Sequence, residues 1–427
     1  MKLNTFILAL SFIFIALAKE SYFWVINDLH SQWTYQPGTS IKSGCMTGTG
    51  VAGKYGDFHC NTPETLTRSA LQFMSSYHIK ADFTIFGGDV WPHELILSKL
   101  NVNKTVLLQA MANFTNLYNL YFPTTPMIPM FGNHDNIEPH QWGNDNAWLF
   151  NAMAKLWKAY IPSDQVQTFK NGGYYKVDLN PKFSFLVLNS GCYFSFDDSS
   201  VKQKDPLGQF QWLTSQIKSL RNQKKTAIII THVAPGQHGQ LLYPQMLENH
   251  QSKLLKILYD AGDVIKGYIN GHEHSDSIKL IETSDGGYIP VFVCPSILSE
   301  GGPDLAYFGN NPAVRLFKYD KSSGKLLDYQ QFWFDLEKAN LKKTPVWSLE
   351  YRAGALFGIN DLSPKSMEIA FKKLVNDDKT WDLYWEYLNV RVAKPKLGER
   401  SKRNHLCSIK YLKMFDYLAC CSGKREL

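Results

Sequence analysis

Two rhythms of apolar and polar positions run along the chain. Short runs dense in Val, Ile and Phe predict buried strands at 22–26, 83–86, 127–131, 183–188, 226–230, 264–269 and 288–293. Between the first two, the spacing predicts a helix. Thr62 is its expected cap and Pro63 its first residue, and Leu66, Ala70, Phe73, Met74 and Tyr77 form its apolar stripe. Strands alternating with helices predict an α/β domain built on sheets.

The character changes after about Asp335. Ser363-Pro364 reads as a helix start, and Met367, Ala370, Phe371 and Leu374 recur at helical spacing. Trp381, Tyr384, Trp385 and Leu388 continue that pattern. The expected organisation is a targeting segment over 1–18, a main domain over 19–335, and a smaller helical, disulfide-tied subdomain over 336–427 packed on it. No internal repeat or low-complexity tract interrupts this order.

Composition supports a folded chain. Of 427 residues, 44% are hydrophobic and 19% charged, enough to fill a core and unlike a disordered segment. The N-terminus reads as a cleaved leader: Lys2, an apolar run over 6–17, then Ala16-Leu17-Ala18 as a small-x-small cleavage site. That run is short for a membrane span. Two glycosylation acceptors agree with export, Asn103-Lys104-Thr105 and Asn113-Phe114-Thr115. The seven cysteines fit an oxidising compartment. Cys45 and Cys60 flank a Gly-rich segment and could close a loop. Cys407 has two alternatives, Cys420 or Cys421, and Cys192 and Cys294 read as buried thiols. The expected location is extracellular or the endolysosomal lumen. The last four residues, Lys424-Arg425-Glu426-Leu427, resemble a retention signal apart from their second position. The net charge of +7 reads as modest and spread out, densest over 391–403. That stretch suggests a solvated surface or a contact with anionic lipid, and no nucleic-acid motif accompanies it.

Five short motifs carry the chemistry, nearly all just after an expected strand: Asp28-Leu29-His30, Gly88-Asp89, Gly132-Asn133-His134-Asp135, Thr231-His232 and Gly271-His272-Glu273-His274. Strand ends are where an open α/β sheet offers a binding site. In an extended chain, residues i and i+2 point the same way, so Asp28 with His30, and His272 with His274, would each aim two donors at one place. The glycines beside Asp89, Asn133 and His272 would allow sharp turns. Imidazole and carboxylate donors suit borderline divalent metals, zinc above all. Seven donors (Asp28, His30, Asp89, Asn133, His232, His272 and His274) exceed one tetrahedral ion and suit two ions sharing a carboxylate. Two ions about 3.5–4 Å apart can clamp a phosphoryl group and activate water.

This pattern resembles the calcineurin-like metallophosphoesterase superfamily, and more closely the acid sphingomyelinase and acid sphingomyelinase-like phosphodiesterases. The narrower match rests on Asp28-Leu29-His30, Gly88-Asp89-Val90-Trp91-Pro92-His93, Asn311-Pro312-Ala313-Val314-Arg315 and Asp361-Leu362-Ser363-Pro364. The resemblance implies a metallophosphoesterase β-sandwich flanked by helices over 19–335. It implies that Asp28, His30, Asp89 and His274 hold one metal, and Asp89, Asn133, His232 and His272 the other, with Asp89 as bridge. It further implies that His93 and His134 contact the phosphate and help protonate the leaving oxygen. A purple acid phosphatase is disfavoured, because Pro92 stands where that family places a tyrosine ligand.

The implied substrate is a phosphodiester. The resemblance points to sphingomyelin or a related phosphocholine diester. With only about ten residues between the expected cleavage site and Asp28, a preceding saposin-like domain is not expected, and soluble nucleotide or CDP-choline-type substrates form the alternative. An inactive secreted binding protein is the remote third reading. His59, His78, His140, His238 and His250 are expected in solvent or ordinary packing, and Glu273 on the opposite face as a structural residue. Asp135 is expected to orient a neighbouring ligand. Loops 190–205 and 299–311 are the expected lining of the specificity cleft.

Overall fold

The computed structural model describes residues 20–301 and 309–427. The expected leader over 1–18 lies outside these residues, as does most of the expected cleft loop 299–311. Twelve strands occur among the described residues: β1 (Glu20–Ile26), β2 (Phe83–Phe86), β3 (Met127–Pro129), β4 (Tyr175–Asn180), β5 (Phe183–Val187), β6 (Thr226–Ile230), β7 (Ile265–Asn270), β8 (Ser277–Glu282), β9 (Tyr288–Val293), β10 (Ala313–Asp320), β11 (Leu326–Phe334) and β12 (Trp347–Arg352). They form two six-stranded sheets, ordered β12-β11-β10-β1-β2-β3 and β4-β5-β6-β7-β9-β8. The fold is α/β, as the alternation predicts.

Each sheet contains a parallel block, β1-β2-β3 in one and β5-β6-β7-β9 in the other. The two sheets face each other across an aromatic core. Phe23 of β1 stacks on Phe83 of β2 at 4.9 Å and on Phe317 of β10 at 5.1 Å, and meets Phe185 of β5 edge-on at 6.1 Å. All four rings are buried, so the aromatic content serves the interface between the sheets. The loops after β1, β2, β3, β6 and β7 carry the five sequence motifs.

Several expectations change. The first helix runs Glu64–Ser76 with Pro63 as its cap, so Thr62 does not cap it and Pro63 precedes the first turn. The periodic segment after Ser363 is two helices, Pro364–Asn376 and Asp378–Leu388, because Asp377 leaves helical geometry and caps the second by accepting from the Lys379 N–H. The region after Asp335 is not wholly helical, since β12 pairs with β11 at the edge of the first sheet. Strands β10 and β11 escape a hydrophobicity reading because buried polar residues interrupt them. Arg315 Nε donates to Gln331 Oε1 at 2.8 Å, and Arg315 pairs with Asp276 at 2.6 Å, so these groups are satisfied inside the sheet. Disulfides join Cys45 to Cys60 and Cys407 to Cys420, while Cys192 and Cys294 are buried free thiols.

Candidate metal centre

The five motif loops converge. Asp28, His30, Asn133 and His232 are fully buried, and Asp89 nearly so. His232 Nε2 lies 3.0 Å from Asp89 Oδ2 and 3.6 Å from Asp28 Oδ1. His30 Nε2 is 3.4 Å from Asp89 Oδ2, and His274 Nε2 is 3.4 Å from Asp28 Oδ1. Two groups with mutually close donor atoms, Asp28-His30-Asp89 and Asp89-His232-His272, share Asp89.

Convergence does not come from extended backbone. Asp28, His30, Asp89, His272 and His274 all have positive φ, between 39° and 70°. The expected i, i+2 alignment of an extended chain is therefore wrong. These side chains leave tight left-handed loops at the strand ends, a costly conformation for non-glycine residues that recurs at functional sites. The loops hold one another. Asp28 N donates to Gly88 O at 3.0 Å, His30 N to Asp89 O at 2.9 Å, and Gly271 N to His232 O at 3.1 Å. The motif glycines serve close approach as well as turning. A Cβ on Gly132 would run into Asp89 Oδ1, and one on Gly271 would lie 2.6 Å from Asp28 Oδ2. Gly88 does turn, at φ 92°.

The donor atoms fit metal ions. His30 Nε2, Asp89 Oδ2, Asn133 Oδ1, His232 Nε2 and His272 Nε2 are buried without a hydrogen-bond partner. Buried polar atoms are seldom left so, and here they crowd around one carboxylate. The opposite ring nitrogens are fixed: His30 Nδ1 meets Trp91 O at 2.8 Å and His232 Nδ1 meets Gly87 O at 2.7 Å. Each Nδ1 donates, which leaves the Nε2 lone pair facing inward.

Charge follows the crowding. Burial alone would raise the Asp89 carboxyl, but the neighbouring His232 and His134 hold it well below the usual carboxylate range. Burial would lower His232, yet Asp89 and Asp28 carry it up to about 9, so a metal ion taking Nε2 must displace a proton there. Asp135 is raised to about 6 by burial and by Asp89. Its carboxylate accepts from the N–H groups of Asp89, Val90, Trp91 and Gly132 at 2.8–3.1 Å. Asp135 thus ties the β2 and β3 loops together, the orienting place expected for it.

His93 and His134 line a cleft of about 310 Å³ over this cluster, with Asp89, Asn133, His272 and His274 at its floor. Four residues beside these histidines belong to none of the five motifs: Asn61, Glu94, His140 and Glu300. Glu300 Oε2 is 2.9 Å from His93 Nδ1, and Asn61 both accepts from His93 N and donates to Glu300. Burial pushes His93 down, but this carboxylate outweighs it and the net shift is upward. Glu94 Oε1 is 2.7 Å from His140 Nε2 and 3.6 Å from His134 Nδ1. His140, expected in ordinary packing, instead accepts from Asn133 Nδ2 at 2.9 Å. His238 also departs from expectation by lining the cleft. His59, His78 and His250 stay outside it, whereas Glu273, expected on the opposite face, borders the cleft while its carboxylate pairs with Lys279 at 2.5 Å. Phe194 and Phe196 supply one wall from the expected 190–205 loop, and Gln240, Leu241 and Tyr243 add a wall the sequence did not suggest. No motif marks these residues because pairing across 7–207 positions leaves no local signal.

Residues 21–276 match the calcineurin-like phosphoesterase family, and residues 290–426 match the acid sphingomyelin phosphodiesterase C-terminal region. The chain is 32% identical over 409 residues to "Sphingomyelinase phosphodiesterase C" of Dictyostelium discoideum, covering 92% of this chain and 91% of that one. It is 32% identical over 411 residues to "Cyclic GMP-AMP phosphodiesterase SMPDL3A" of Bos taurus, covering 93% and 90%. It is 27% identical over 420 residues to "Acid sphingomyelinase-like phosphodiesterase 3b" of Mus musculus, covering 96% and 91%. Among solved structures, a dimetal phosphatase from Danio rerio aligns with 73% of this chain and 95% of its own, at TM-score 0.45 and 13% identity.

Proposed function

Because the chain belongs to the calcineurin-like phosphoesterases and carries the acid sphingomyelin phosphodiesterase C-terminal region, we propose that this metal-dependent phosphodiesterase is a secreted or lumenal two-zinc enzyme acting on sphingomyelin or a related phosphocholine diester. One observation carries the metal assignment. The five partnerless donor atoms belong to the residues that the family pattern assigns to metal. Asp28, His30, Asp89 and His274 would hold one ion, and Asp89, Asn133, His232 and His272 the other. When bound, the pair supplies charge neutralisation at the phosphoryl oxygens and a water activated near neutral pH.

The remaining steps belong to the chain. Glu300 occupies His93 Nδ1, so the proton that His93 delivers to the departing alkoxide sits on Nε2. A diester needs that donor, because an alkoxide leaves poorly without one. His134 faces the same cleft with Glu94 behind it and contacts a phosphate oxygen. The aromatic wall of Phe194, Phe196 and Tyr243 suits a quaternary ammonium headgroup.

A soluble nucleotide diester is the second reading. The same wall supports it, since Phe196 and Tyr243 stack at 6.0 Å and offer flat faces to a base, and so does the Bos taurus relative's name. Purified protein incubated with sphingomyelin, CDP-choline and a cyclic dinucleotide decides between them. Release of phosphocholine from sphingomyelin supports the first. Cleavage of the nucleotides alone replaces it with the second. Export is supported by the leader-like residues 1–18 and by the two disulfides. Asn103 and Asn113 are exposed, which suits them as glycan acceptors.

A further inference from the structure

The net charge is not spread along the chain as its sequence first suggests. Ten basic and three acidic side chains fall between Arg391 and Leu427, a balance of +7 that equals the charge of the whole chain. The preceding 390 residues carry 35 of each sign. In this last stretch, Arg400, Arg403, Lys410, Lys413 and Lys424 have no carboxylate partner among the described residues, while Lys394 turns inward to Asn310 Oδ1 at 3.1 Å. The acid of the final helix, Asp416, is neutralised by Arg425.

That helix, Met414–Cys421, also leaves apolar groups in water. Phe415 is 83% exposed and Leu418 is 55% exposed, one turn apart and so on one face. Tyr259, 43% exposed, lies across a groove of about 400 Å³ bordered by Lys256, Lys410 and Lys413 and by the two carboxylates Glu282 and Asp416. The surface is firmly held. The Cys407–Cys420 disulfide closes it, and Gln251 Nε2 donates to Leu412 O at 3.1 Å from the main domain. The apolar side chains therefore protrude from a fixed base.

We propose that this face docks on an anionic lipid bilayer, with Phe415 and Leu418 entering the interface and the unpaired cations lying among the headgroups. A short helix with bulky apolar residues on one face and Lys and Arg around it has the makeup of an interfacial element. Each lysine near an anionic leaflet strengthens binding roughly fivefold, through an attraction that salt screens. The proposal does not depend on the identity of the substrate.

Flotation of the full chain with vesicles tests it. Phosphatidylcholine vesicles are compared with vesicles that also contain phosphatidylserine, at low and high salt. The chain is expected to float with the anionic vesicles only and to be released by salt. Combining Lys410→Gln, Lys413→Gln and Lys424→Gln should weaken this roughly a hundredfold. Combining Phe415→Ser and Leu418→Ser should weaken it about tenfold or more. Both variants should hydrolyse a soluble diester at the unaltered rate. Equal flotation of either variant and the parent, or no preference for anionic vesicles, overturns the proposal. So does a parent that self-associates through this face, seen as a dimer that the serine variant makes monomeric while vesicle binding stays unchanged.

Discussion

The Asn133 side chain donates from Nδ2 to His140 Nδ1 at 2.9 Å, and its Oδ1 is buried without a protein partner. Since that His140 nitrogen accepts, the other carries the proton and donates to Glu94 at 2.7 Å. A surface carboxylate thereby sets which end of a buried amide faces the Asp89 cluster. His140→Ala should lower turnover about 10- to 100-fold and reduce metal content, with the melting temperature little changed. Steady-state rates and elemental analysis check this. Normal values for both would mean the amide is held by other groups.

Asp89 belongs to both donor groups, so its loss should cost both ions. Asp89→Asn and His232→Ala are expected to abolish most turnover and to be purified with little metal. A chelator should strip the parent protein, and added zinc should restore both metal content and activity. Retention of two ions by Asp89→Asn would refute the bridging role.

In the proposed mechanism Glu300 and His134 act beside the metal ions. Glu300→Gln removes the carboxylate that holds the His93 ring, and His134→Ala removes a phosphate contact. Both should lower kcat, by about 10²- to 10⁴-fold where proton transfer is lost, with metal content near normal. Metal loss from His134→Ala would make His134 a ligand.

Stability should depend on His405. This buried ring bonds Gly239 O through Nδ1 at 2.7 Å and the Tyr384 hydroxyl through Nε2 at 3.0 Å. Burial holds its pKa down at about 4, against an ordinary 6.5. The unfolded chain therefore takes up a proton that the folded chain refuses between those values. His405 contributes full stability above pH 6.5, and about 3 kcal/mol is lost as pH falls to 4. Thermal unfolding across this window should slope downward for the parent and less steeply for His405→Gln. Parallel slopes would place the dependence elsewhere.

Gly132→Ala tests the packing of the β3 loop against Asp89. Its Cβ would meet the Asp89 carboxylate, so the variant should lose about 1–3 kcal/mol and most metal. Calorimetry and metal analysis read both effects, and an unperturbed variant would mean that the loop yields.

The motifs made the candidate metal donors legible because each pairs a short apolar strand with Asp, Asn or His within a few residues. Their partners were not legible. Glu300 lies 207 positions from His93, and Glu94 and His140 are ordinary polar residues until folding sets them behind His134 and Asn133. The backbone was misread for a related reason. Periodicity reports which side a residue faces in a regular element, whereas Asp28, His30, His272 and His274 stand in left-handed turns that the interlocked loops enforce.

The α/β alternation, the donor types and the strand ends that bear them could be read from the order of residues alone, because burial pattern and residue chemistry are local properties. Folding was needed to set which donors share Asp89, which ring nitrogen each histidine turns inward, and where the charge of the last 37 residues meets exposed apolar side chains. Those are relations between distant segments, fixed when two sheets close on a common aromatic core.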